Sequence, residues 1–81
     1  MGTITIYIKL FGSFRKFGES LDFCLPAGST IATVKKTLQQ KLNGERLVSD
    51  SVLANDHAIL RDHDVLDNDT ELSILPPVCG G

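Results

Sequence analysis

The chain has 81 residues, 42% of them hydrophobic and 22% charged, with a formal net charge of −2. That length predicts one domain, which buries about 60–65% of its unfolded surface on folding. The apolar fraction excludes a disordered tail, the negative charge argues against a general nucleic-acid binder, and no apolar run is long enough to span a membrane.

Residues Thr3 to Leu10 alternate, with Ile4, Ile6, Ile8 and Leu10 on one side and Thr3, Thr5, Tyr7 and Lys9 on the other. Period two with β-branched residues predicts a half-buried strand. Phe11 to Glu19 contains Gly12 and Gly18 and reads as a connection. Its three aromatics, Phe11, Phe14 and Phe17, are read either as a plug over the end of the core or as partner surface. Their spacing of three also fits a helical turn. Leu21, Phe23 and Leu25 form a second strand that Pro26 ends, paired with the first as a hairpin. Cys24 then faces away from the core, with no neighbour to activate it.

Ser29 or Thr30 caps a helix over Ile31 to Leu42, whose apolar stripe is Ile31, Val34, Leu38 and Leu42. Asn43-Gly44 ends it. Glu45 to Ser51 reads as loop. Val52-Leu53-Ala54 and Ala58-Ile59-Leu60 read as short strands around a tight turn at 55–57. Asp62 to Asp69 is an acidic, turn-rich stretch in which Val65-Leu66 dips back to the core. The last strand places Leu72 and Ile74 inward and Glu71, Ser73 and Leu75 outward. One helix across a mixed sheet is an α+β design. If the last strand lies parallel beside the first, the Phe11–Phe17 loop sits where the C-terminal stretch emerges.

That stretch, Pro76-Pro77-Val78-Cys79-Gly80-Gly81, carries the strongest functional signal. The two prolines lack N–H groups and fix φ, so the sheet is expected to stop there and continue as a stiff, extended arm. A terminal Gly-Gly has no side chains, and so it can thread a narrow cleft and present its α-carboxylate to chemistry in another protein. The alternative is an ordinary frayed terminus.

Other motifs fall away. Asn68-Asp69-Thr70 matches a glycosylation acceptor, but Met1-Gly2-Thr3 begins no secretory signal and the expected location is cytoplasmic. Ile6 occupies the position where myristoylation wants Ser or Thr, and Cys79 is one residue too close to the end for prenylation. The aspartates of 62–69 lack the glycine of a calcium loop, and His57, His63 and two distant cysteines have no zinc spacing, so no metal site is expected. Both cysteines read as reduced thiols. The chain is basic through Arg46 and acidic from Asp50, a pattern read as solvated loops or as a surface steering a basic partner. No catalytic grouping is visible, so chemistry at the terminus would be done by partner proteins.

The ending Leu75-Pro76-Pro77-Val78-Cys79-Gly80-Gly81 resembles that of the small subunits of molybdopterin synthase, a family of ubiquitin-like sulfur carriers. Leu10 to Glu19 resembles the family's apolar, arginine-bearing segment after the first strand, and Leu66 to Leu72 its acidic turn into the last one. Cys79 stands where Ser or Ala is more usual, and Glu45–Asp50 has no clear counterpart.

The resemblance implies a β-grasp fold, a mixed sheet of four to five strands with one main helix, as a domain over 1–75 followed by a flexible tail over 76–81. It further implies that a ubiquitin-activating-type adenylyltransferase uses ATP to adenylate Gly81. A persulfide donor protein then converts Gly81 to a thiocarboxylate, and the large synthase subunit transfers the sulfur to a cyclic pyranopterin precursor within a heterotetramer. Gly81 is the reacting residue, while Gly80, Cys79, Val78, Pro77 and Pro76 form the inserted tail. Tyr7, Phe11, Phe14, Phe17 and Leu75 are the expected docking residues, and no cofactor is held permanently. The rival readings are a sulfur carrier for thiamine, cysteine, tRNA or secondary-metabolite synthesis, a ubiquitin-like protein modifier, and a plain interaction module.

Overall fold

A computed structural model describes residues 2–43 and 46–76. In chain order these form β1 (Thr3–Leu10), a 3-10 helix (Gly12–Phe17), β2 (Ser20–Pro26), β3 (Ser29–Thr30), α1 (Ile31–Lys41), α2 (Leu47–Asp50), β4 (Val52–Ala54), β5 (Ile59–Leu60), β6 (Val65–Leu66) and β7 (Thr70–Leu75). Five strands make one mixed sheet in the order β2-β1-β7-β4-β5, and β3 and β6 make a separate two-stranded ribbon. This is the expected β-grasp arrangement, with one main helix across one face.

The alternation read in β1 sets the whole sheet. Ile4, Ile6, Ile8 and Leu10 are all buried, and β2 pairs antiparallel with Ile6 opposite Phe23. β7 runs parallel to β1, with Ile6 level with Thr70 and Leu10 level with Ile74. β4 closes on the other side of β7, antiparallel, with Leu53 opposite Ile74. Since Leu72, Ile74 and Leu53 are also buried, the inner face is continuous across β2, β1, β7 and β4. The stripe Ile31, Val34, Leu38 and Leu42 of α1 lies on that face and completes the core.

The helix starts where the sequence placed it. Thr30 is the N-cap, and its Oγ1 accepts from the Thr33 N–H at 3.4 Å. Two more of the orphan N–H groups of its first turn donate to backbone carbonyls of the acidic turn, Ile31 to Asp64 at 2.9 Å and Ala32 to Asp62 at 3.0 Å. The acidic stretch is thus tied to the helix end. Asp64 Oδ2 accepts from the Arg61 N–H and Asp69 Oδ1 from the Thr5 N–H, so two of its carboxylates brace backbone turns and a strand. The helix ends at Lys41, one residue earlier than predicted, and Asn43 takes φ +60 beyond it. Its expected partner Gly44 lies outside the described residues.

Two elements differ from the sequence reading. The stretch predicted as loop before Val52 contains α2, because Val48 is fully buried beside α1 and a helical turn carries it there. Ser29–Thr30 does more than cap the helix: it pairs antiparallel with Val65–Leu66, which accounts for the inward dip of Leu66. The short strand β4 forms as predicted and β5 starts one residue later, at Ile59, and Asn55 Oδ1 closes their turn by accepting from the N–H groups of His57 and Ala58. Among the described residues, no helix is long and apolar enough to cross a membrane.

Candidate functional site

Strands β1 and β7 end at the same edge because they run parallel. The register carries Phe11 level with Leu75, one step beyond the Leu10–Ile74 pair, and Leu75 is directly opposite Val52 of β4. Phe11 retains an extended backbone, with φ −128 and ψ 160, so it continues the line of β1. Leu10, Ile74 and Leu53 point inward, so the residues next to them point outward. Phe11, Leu75 and Val52 therefore form one apolar row across three strands on the outer face, exposed by 40%, 37% and 37%. The adjoining row runs Lys9, Ser73, Ala54 and Ile59, with Ile59 exposed.

This row lies at the root of the C-terminal stretch. Pro76, the last described residue, is half-buried, and its ring stands against the backbone of Gly12. The predicted nearness of the Phe11–Phe17 loop to the point where the chain leaves the sheet is thus observed. The loop itself is a 3-10 helix closed by the Gly18 N–H donating to the Arg15 carbonyl. Its base is tied to the hairpin by the Leu10 N–H donating to the Glu19 carbonyl at 3.0 Å.

The predicted docking residues separate. Phe11 and Leu75 stand together in the row. Tyr7 is exposed on the same outer face but four residues down β1, between Asp22 of β2 and Glu71 of β7, beside the Lys9–Glu71 ion pair of 3.4 Å. Phe14 is a correction: it is fully buried, and no partner can reach its ring. In a 3-10 helix positions i and i+3 share a side, and here that side turns Phe14 into the core. Phe17 is half-buried against the same core, with the Lys16 ammonium 5.3 Å from its ring centre. The plug reading therefore holds for Phe14 and Phe17, and the surface reading remains for Phe11.

Val52 and Ile59 were not among the predicted docking residues. Their signal was parity: once Leu53 is placed inward, Val52 must face out. Pro77, Val78, Cys79, Gly80 and Gly81, where the reacting carboxylate and inserted tail were expected, lie outside the described residues. Cys24 is exposed on β2, with its Sγ 3.8 Å from Thr5 Oγ1. Among the described residues no group of three or more His, Cys, Asp or Glu side chains is arranged to hold a metal ion. What the described residues offer beside the last residue of β7 is the exposed apolar row of Phe11, Leu75 and Val52.

The sequence model of the ThiS family matches residues 8–81. Among solved structures, the solution structure of the Haloferax volcanii HVO 2177 protein is similar, with a TM-score of 0.79 at 22% identity, covering 99% of this chain and 89% of that one. The crystal structure of SAMP1 from Haloferax volcanii gives 0.78 at 15% identity, over 95% of this chain and 99% of that one. The N-terminal ubiquitin-like domain of the 4931431F19Rik protein gives 0.72 at 20% identity, over 98% and 79%. At these identities the structures establish a shared fold. No curated protein matches the chain.

Proposed function

Because the chain belongs to the ThiS family of ubiquitin-like sulfur carriers, we propose that it is the sulfur-carrying small subunit of a molybdopterin synthase. Members of that family work with activating enzymes and partner synthase subunits. Here the activating enzyme joins the Gly81 carboxylate to AMP from ATP, releasing pyrophosphate. The acyl-adenylate turns a poor electrophile into one with a good leaving group. The persulfide sulfur of a donor protein attacks the acyl carbon and expels AMP. A second thiol then cleaves the sulfur–sulfur bond, leaving the thiocarboxylate and a disulfide. In the synthase the large subunit passes that sulfur to a cyclic pyranopterin precursor. The domain supplies no catalytic group. It presents the reacting end and holds the partner, while Gly80 gives clearance and Val78, Cys79 and the prolines form the arm.

One observation carries the reading. The parallel pairing of β1 with β7 brings the exposed row Phe11, Leu75 and Val52 to the edge from which the chain departs toward Gly80-Gly81. A partner seated on that row has the terminus within reach of its own active site. The Pro-Pro-Val spacer before Gly-Gly supports the molybdopterin pathway over other sulfur pathways.

The test is to incubate the purified chain with its activating enzyme, ATP and a persulfide donor, and to measure intact mass. Exchange of one oxygen for sulfur at Gly81 is expected, followed by loss of that sulfur to pyranopterin when the large synthase subunit is added. Thiocarboxylate that the large subunit cannot discharge would assign the carrier to another pathway. Lysine-linked conjugates in the native host, surviving denaturation and reduction, would assign it as a modifier.

A further inference from the structure

Gly12 is held in a conformation and a space that only glycine fits well. Its φ is +56, in the left-handed region, and a β-carbon built there would come to 2.7 Å from Pro76 Cγ and 3.4 Å from Pro76 Cδ. Asparagine tolerates the first condition; no side chain meets the second without moving the proline ring. The register explains the encounter. Ile6 is level with Thr70 and Leu10 with Ile74, so the same offset sets Gly12 level with Pro76, just past the last β1–β7 pair. Pro76 brings no N–H to the sheet, and the ladder gives way there to ring-on-backbone packing.

We propose that Gly12 is a positioning residue for the reacting C-terminus: its bare backbone is the seat of the Pro76 ring, and that seat sets the direction in which the chain is handed to its partner. The proposal rests on the sulfur-carrier reading above. Phe11 and Leu75, one residue before each member of the pair, belong to the docking row. A partner seated on that row meets the chain at Pro76 with its heading already set. A β-carbon at 12 would push the ring by several tenths of an ångström. Misplacing a reacting group by about 1 Å can cost about 100-fold in rate.

The test compares Gly12→Asn in the native chain and in a Pro76→Ala background. Pro76→Ala removes Cγ and Cδ and leaves Cβ, which lies 4.0 Å from the built β-carbon, an ordinary contact. In the native background, Gly12→Asn is expected to lower the saturated rate of thiocarboxylate formation by about 10- to 100-fold, with KM for the carrier changed less than about threefold. In the Pro76→Ala background the same substitution is expected to change the rate less than about threefold. Native rates for folded Gly12→Asn overturn the proposal. So does an equal loss in both backgrounds, which would trace the effect to the turn rather than to the ring.

A second readout needs no sulfur chemistry. With Cys24→Ser, a nitroxide on Cys79 broadens nearby amide signals. Gly12→Asn is expected to change which amides are broadened in the native background and to leave them unchanged with Pro76→Ala. An unchanged pattern in the native background overturns the proposal. If the native chain gains no thiocarboxylate while the broadening responds as expected, the sulfur-carrier reading fails and the seat stands.

Discussion

Replacing the apolar row tests whether the outer face near the chain's exit is where a partner binds. Full burial of a Val, Leu or Phe side chain is worth about 1.5–3 kcal/mol. Phe11 is 40% exposed and Leu75 and Val52 are each 37% exposed, so most of each side chain is already covered within the domain. Covering the remainder by a partner contributes about 2–3 kcal/mol for the three together, on the same scale. The combined variant Phe11→Ser, Val52→Thr, Leu75→Ser should therefore weaken binding to the large synthase subunit by about 30- to 150-fold in Kd. Isothermal titration calorimetry reads this directly, and urea denaturation of the free variant verifies that it is folded. Val65→Ser is the control: Val65 is more exposed, at 54%, but sits on the separate ribbon of β3 and β6. It should leave Kd unchanged. If the triple variant binds within about threefold of the native chain, a change under about 0.7 kcal/mol, the row is not the docking surface. An equal effect from Val65→Ser would refute the reasoning as well.

Deleting Gly81 should abolish thiocarboxylate formation, read by intact mass, and leave the urea midpoint unchanged, because no core side chain is lost. Phe14→Ala should cost about 3–5 kcal/mol of stability in urea denaturation, since the ring is fully buried, whereas Phe11→Ala should cost less. Amide hydrogen exchange should be slowest in β1 and β7, which are central in the sheet, and faster in the edge strands β2 and β5. Exchange of β7 faster than that of both edges would contradict the topology.

Elements with a clear period were legible from the residues alone. The alternation from Ile4 to Leu10 and the stripe Ile31, Val34, Leu38, Leu42 each state which face is buried, and neither needs knowledge of its neighbours. Leu72 and Ile74 gave β7 in the same way. α2 was not legible: four residues contain barely one turn, and helix formation at that length is decided by tertiary burial, here of Val48. The β3–β6 pair is two residues long and joins segments far apart in the chain, so nothing local announces it. The site divides along the same line. Phe11 and Leu75 could be placed from the parity of their own strands. Val52 joins them only through the β4–β7 register, and Phe14 leaves them only through the direction in which a 3-10 turn faces.

The position of β7 fixes where the chain leaves the sheet. Parallel strands cannot be joined by a tight hairpin, so all of the chain from β2 to β6 serves as the crossover between β1 and β7. The last strand thereby arrives in the interior of the sheet, with β1 on one side and β4 on the other. A terminal strand at an edge would be held by one ladder and by fewer core contacts. Here Leu72 and Ile74 are buried under α1, and Leu75 is paired with Val52 up to the last residue of the strand. Pro76 then ends the ladder, because it has no N–H to donate, and its ring packs against Gly12, the residue level with it on the β1 side. On the reading proposed above, a partner can take hold of the end of the chain without loosening the core, because the ladder stops at one residue. That residue adjoins the exposed apolar row, so the proposed docking surface and the point at which the ladder ends are set by the same pair of parallel strands.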